Sequence, residues 1–195
     1  MGPALVFAAV VVALPLLWLI VNYNRFARLR QHIRESWSDI DVELKRRYDL
    51  IPNLVNTVKG YAKHEQETLQ HVIEARNRAA ASTGPAATQA ADESALLIEL
   101  RRLFVLVERY PQLKADAQFL ALQRELANTE DRIAASRRFF NANVRELNQL
   151  AETFPTNIIA GVFGFRSESF FELSADAERV VPRVDLSAES SARAT

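Results

Sequence analysis

The sequence predicts an all-α protein: an N-terminal transmembrane helix followed by an antiparallel bundle of three to four long helices. Three observations carry this. Residues Ala4 to Val21 form an unbroken apolar run, ALVFAAVVVALPLLWLIV. Beyond it, apolar residues recur every three to four positions over long stretches, the period of one helix face. Finally, only five glycines occur in 195 residues, and no segment sustains the apolar and polar alternation of a strand.

The apolar run is dominated by Leu, Ile, Val and Phe. At about 1.5 Å per residue it spans about 27 Å as a helix, against about 30 Å of bilayer hydrocarbon. Pro15 is expected to kink the span without abolishing it. A cleaved signal peptide would carry basic residues before the apolar stretch and a small-x-small site after it, and neither is present. A buried core helix would need a polar face, which the run lacks. The run therefore reads as an uncleaved anchor over residues 1–23, partnered by the lipid bilayer. Arg25, Arg28, Arg30 and Arg34 follow it directly, while the N-terminal flank has only the α-amino group. The excess of positive charge on one side orients the N-terminus outside and the bulk of the chain in the cytosol.

The remainder is large enough for one domain with its own core, placed at 24–172. Lys plus Arg equals Asp plus Glu at 24 each, so no global field selects nucleic acid or an acidic substrate. The absence of cysteine excludes thiol chemistry and disulfides.

Ile33, Trp37, Ile40, Leu44, Ile51, Val55, Val58 and Ala62 share one face and predict a helix running from the membrane to about Ala81. Pro52 interrupts it; because the stripe keeps its phase and no glycine offers a turn, a kink is favoured over a reversal. Residues 82–92, STGPAATQAAD, read as a flexible linker. Leu96, Leu97, Leu100, Leu103, Phe104 and Val107 mark a short helix ended by Tyr110-Pro111. Phe119, Leu122, Leu126, Ile133, Phe140, Val144, Leu147, Ala151 and Phe154 then predict a helix of about forty residues, packed as in bundles and coiled coils and stopped by Pro155. The following TNIIAGVFGF is read as a cap on the bundle end in preference to a segment dipping into the membrane interface. Residues 173–195 are expected to be largely disordered, with Val180, Val181, Val184 and Leu186 available to dock.

No catalytic, cofactor or metal constellation stands out. His64, Glu67 and His71 are spaced for one helical face, but the Glu-x-x-His order of metal bundles is reversed, so a surface patch is preferred. No phosphate loop, nucleophile elbow or zincin motif occurs. One polar feature rises above background: Glu130, Arg137, Asn141 and Asn148 lie along a strip bordering the apolar stripe of the long helix, and Arg47 occupies the matching rim of the first. Half-buried polar groups require partners, each unsatisfied one costing about 1 to 3 kcal/mol. An inter-helix network that fixes register is preferred to a ligand site. Asp49, Asn53 and Asn56 project away from the core as candidate exposed contacts.

Three stretches carry a family resemblance: Ser36 to Glu65, with RYDLIPNLV; Tyr110 to Asn148, with SRRFFNANVRELN; and FPTNIIAGVFGF at Phe154 to Phe165. Together they resemble the LemA family. The resemblance implies a bacterial or archaeal inner-membrane protein with one N-terminal span and a cytosolic helical bundle. It also implies association with the cell envelope, sometimes beside a membrane zinc protease, and in magnetosome-forming bacteria a part in organelle membrane formation. It brings no catalytic residues. Phe139 and Phe140 follow Arg137 and Arg138 where relatives commonly have a tyrosine, so no phenol is available there. The functional expectation is a non-catalytic, membrane-anchored interaction or scaffold module that needs no cofactor. Its protein partner is unspecified, self-association is open, and no nucleic acid is involved. The alternative is an enzyme or small-ligand binder using the polar seam.

Overall fold

The structure, a computed structural model, describes residues 2–174 and 177. It is all-α, with no strand among the described residues. Among those residues six helices follow in order: α1 Pro3–Tyr61, α2 Gln66–Ala81, α3 Ala86–Val107, α4 Pro111–Lys114, α5 Ala117–Glu152 and α6 Thr156–Phe163.

Helix α1 runs for 59 residues without a break. Pro52 lies inside it, so the chain does not reverse there. Pro52 has no N–H to give to the Tyr48 carbonyl one turn back. Arg76 on α2 supplies the missing donor, its Nε lying 3.0 Å from that carbonyl. The helix expected to reach Ala81 instead ends at Tyr61, and α2 turns back beside α1. Lys63 to Thr68 is a polar run between Ala62 and Leu69, so there is no apolar face to bury across it. The linker expected at 82–92 shrinks to Ser82–Pro85. Its second half is the first turn of α3, where Gln89 and Ala90 are buried.

The bundle domain expected at 24–172 divides into two compact units. The first comprises residues 1–38 and 138–170. Here Phe26, Leu29 and Ile33 of α1 are buried with Val144 and Leu147 of α5 and Ile159 and Ala160 of α6. Arg25 pairs with Glu146 at 2.7 Å and the Trp37 ring meets Phe140 at 5.4 Å, so α5 runs antiparallel to α1. Gly164 ends α6 at φ +73°, the left-handed region where glycine has no Cβ penalty. The Phe165 N–H then closes back on the Ala160 carbonyl at 2.9 Å, satisfying a terminal carbonyl of the helix. This turn places Phe165 face to face with Phe26 at 4.8 Å, under the Arg30 guanidinium at 5.1 Å.

The second unit comprises residues 39–137 and 171–195. The end of α1, α2, α3 and the start of α5 enclose a core that includes Ile40, Ile51, Leu54, Val72, Leu96, Leu103 and Leu113. Asp116 caps α5, its Oδ1 accepting the Phe119 N–H at 2.9 Å. Its other oxygen accepts the Tyr61 hydroxyl at 2.9 Å. These contacts hold the Asp116 carboxyl below its usual range, the Phe119 N–H contributing most. The tail expected to be disordered from 173 begins docked: Leu173 and Ala177 pack against Leu97, and the Ser174 N–H donates to Ser94 Oγ at 3.0 Å. Val180, Val181, Val184 and Leu186 lie outside the described residues.

Candidate functional site

Polar chemistry concentrates in the second unit around Arg47 and Tyr48, one turn before Pro52. Both sit on the inward face of α1 because they continue the stripe of Ile40, Leu44 and Ile51. Arg47 is 1% exposed, as is Glu93 on α3. The guanidinium forks: Nη2 reaches Glu93 and Nη1 reaches Glu130 Oε1 on α5 at 2.7 Å. Its Nε finds no acceptor.

Glu93 is the hub. Its Oε2 takes the Arg47 contact, and its Oε1 accepts the Tyr48 hydroxyl and the Gln89 amide, the latter at 2.8 Å. Gln89 also donates to the Ala79 carbonyl at 3.1 Å, tying α3 to the end of α2. A buried carboxylate is tolerated only when paired and hydrogen-bonded, and here three side chains supply donors to one group. Burial pushes the Tyr48 phenol up to about 12, with the Arg47 charge opposing. Tyr48 is therefore neutral at physiological pH and committed as a donor, available neither as a base nor as a nucleophile.

On the solvent side of Tyr48 and Gln89 lies an open pocket of about 340 Å³, rimmed by Asp41, Lys45, Asp49 and Arg76. A second groove of about 420 Å³ lies between α1 and α2 and is lined by Pro52, Val55, Asn56, Lys59 and Leu69. Asp49, Asn53 and Asn56 are all exposed, as their projection predicts.

The predicted seam is not one site. Arg47 and Glu130 do meet. Arg137 and Asn141 are half-buried and engaged in contacts of their own, and they fall in different units. Asn148, in the first unit, clamps a stretch of backbone, where its Nδ2 donates to the Glu168 carbonyl at 2.9 Å and its Oδ1 accepts the Glu168 N–H at 2.8 Å. Helical projection ranks residues by angle but says nothing of which neighbour faces them. Gln89, Glu93 and Arg76 are absent from the predicted seam. The signal for Gln89 and Glu93 is present, since they precede Leu96, Leu97 and Leu100 at helical spacing on the same face, but reading 82–92 as a linker hides it.

His64 lies in the break between α1 and α2, so it shares no helical face with Glu67 and His71, and all three are exposed. No group of three or more His, Asp or Glu stands ready to hold a metal ion among the described residues.

Comparison with known proteins agrees with the resemblance noted in the motifs. The profile of the LemA family matches residues 36–186. Similar proteins include magnetosome protein MamQ of Magnetospirillum gryphiswaldense, 24% identical over 193 residues, covering 85% of this chain and 71% of the relative. Magnetosome protein MamQ 2 of Paramagnetospirillum magneticum is 25% identical over 179 residues, covering 79% of this chain and 66% of the relative. Protein LemA of Metamycoplasma hominis is 27% identical over 158 residues, covering 80% and 71%.

Proposed function

The chain belongs to the LemA family, and on that premise we propose that it is a non-catalytic, single-pass interaction module of the cell envelope, anchored in the inner membrane with its helical units in the cytosol. The observation that carries this reading is the state of the apolar stretch in α1. None of the most apolar window of that helix is buried; Phe7 is 72% exposed and Leu14 61%. A core helix would be covered by protein, so this surface calls for another apolar solvent, and the bilayer supplies it. The same helix continues without interruption into the buried stripe from Phe26, which ties the anchor to folded structure. The exposed arginines just beyond the span support the cytosolic orientation.

The buried network supports a structural role over catalysis. Glu93 has its lone pairs directed at Arg47, Tyr48 and Gln89, and a group so committed does not exchange protons with a substrate. What remains for recognition is the outward face of α1 at Asp49, Asn53 and Asn56, beside the groove between α1 and α2. Tethering confines this face near the membrane, where a raised effective concentration replaces high affinity.

A photo-crosslinking amino acid placed at Asn53 or Asn56 of the full-length protein in its native membranes tests the reading. A discrete adduct formed from both positions, and not from the exposed Asn128 on α5, is expected. The same diffuse set of adducts from all three positions would refute it.

A further inference from the structure

We infer that helix α6 is a second membrane element: a short apolar helix lying in the lipid interface at the foot of the α1 span. One face of α6 is used inside the first unit, where Ile159 and Ala160 are 2% and 4% exposed. The other face is largely apolar and uncovered, Asn157 being its exposed polar side chain. Ile158 is 57% exposed and Val162 73%, four residues apart on one side of the helix, with Phe163 beside them at 45% and Phe154, in the turn before the helix, at 75%. The segment Phe154 to Phe165 contains no charged residue. A water-facing helix end of that composition is unusual, and capping accounts only for the buried half.

The position of α6 identifies what covers the rest. The Arg25–Glu146 pair together with the Trp37–Phe140 contact sets α5 antiparallel to α1. From Glu146 to Glu152 is six residues, a rise of about 9 Å toward the span. That brings the end of α5 level with about Leu19, in the last turn of the apolar stretch. The C-terminal end of α6 lies at Tyr23, where Phe163 meets the tyrosine ring edge-on at 4.9 Å and Phe165 lies 5.7 Å from it. Tyr23 stands two residues past the apolar run, the depth at which aromatic side chains form the interfacial belt. The exposed stripe of α6 is thus continuous with the membrane-facing surface of α1. Arg28 and Arg166, both exposed, flank this level and suit anionic head groups. Interfacial helices combine such an apolar face with adjacent basic residues. A protein occupant would need to sit at the same depth as the bilayer surface, in competition with lipid.

This inference rests on the anchor reading, and the experiment separates the two. The chain has no cysteine, so single cysteines at Leu14, Val162 and Arg34 of the full-length protein accept an environment-sensitive fluorophore uniquely; all three positions are exposed. The labelled proteins are reconstituted in vesicles of phosphatidylethanolamine and phosphatidylglycerol, with and without lipid bearing a nitroxide high on the acyl chain. Quenching at Val162→Cys about threefold or more above that at Arg34→Cys is expected, with a blue-shifted emission. Quenching at Leu14→Cys without quenching at Val162→Cys would overturn this inference and leave the anchor standing. Absence of quenching at Leu14→Cys would overturn the anchor itself. A blue shift at Val162→Cys without quenching would mean that protein covers the face, and would equally overturn the inference.

Discussion

Replacing Arg47 with Met removes the one cation from a buried set of three charges while keeping most of the side-chain volume. Arg47 and Glu93 are each 1% exposed in their side chains and Glu130 is 11% exposed. The variant therefore strands two carboxylates, one of them fully enclosed. Breaking a buried ion pair by removing one partner costs about 3 to 5 kcal/mol. That is a large share of the roughly 5 to 15 kcal/mol that stabilises an ordinary domain. With a urea dependence of about 2 kcal/mol per molar, the unfolding midpoint is expected to fall by about 2 M. Urea titration of the full-length protein in mild detergent, followed by helical circular dichroism, reads this directly. Adding Glu93→Gln and Glu130→Gln to Arg47→Met should recover at least half of the loss, since neutral amides need no counter-charge. A single variant within about 1 kcal/mol of the parent would refute the buried network as an electrostatic unit. A triple variant as weak as the single one would show that the cost comes from packing instead.

Three further outcomes follow. Asp116→Ala should lower the melting temperature at neutral pH by removing the cap of α5 and the Tyr61 partner, and Asp116→Asn should restore most of it, because asparagine also caps. Since the Asp116 carboxyl is held below its usual range, its contribution is present above the unfolded value and lost as pH falls through the folded one. The deficit of Asp116→Ala should thus shrink in acid, and a deficit constant with pH would contradict this. In alkaline titration by phenolate absorbance, Tyr48→Phe should delete the transition at about 12. Because the folded value lies above the unfolded one, the stability Tyr48 contributes is fully present below pH 10.0 and lost as pH climbs toward 12. An unchanged titration curve would count against the buried placement of its hydroxyl. Asn148→Ala should free the Glu168 backbone, at about 1 kcal/mol for each of the two lost hydrogen bonds and hence about thirtyfold faster amide exchange at Glu168. Unchanged exchange there would refute the clamp.

Where the physics is local, sequence and structure agree. The bounds of α5 follow from an apolar stripe that Pro155 terminates, and Pro111 opens α4 where Tyr110-Pro111 is expected to end a helix. The outward projection of Asp49, Asn53 and Asn56 needs only the phase of one helix. Where a contact joins segments distant in sequence, periodicity is silent. Glu93 looks like the edge of a linker because Ser82, Thr83, Gly84 and Pro85 before it are turn formers and the alanines that follow carry no large apolar stripe. It is helical and buried because Arg47, forty-six residues earlier, offers a charge that no local rule can see. Asn148 projects onto a side-chain seam, yet its partner is the backbone of Glu168 across a turn.

The sequence by itself determined a long apolar span followed by arginines, an all-helical content and the family to which the chain belongs. Each depends on composition or on a period within one segment. Tertiary structure alone decided that Arg76 replaces the donor Pro52 lacks, that Arg47 is balanced by Glu93 and Glu130, and that α6 comes to rest beside Tyr23 with half its surface uncovered. The physical reason is common to all three: a helix fixes which side its residues face, but the charge, hydrogen bond or solvent that meets them depends on which segments pack together.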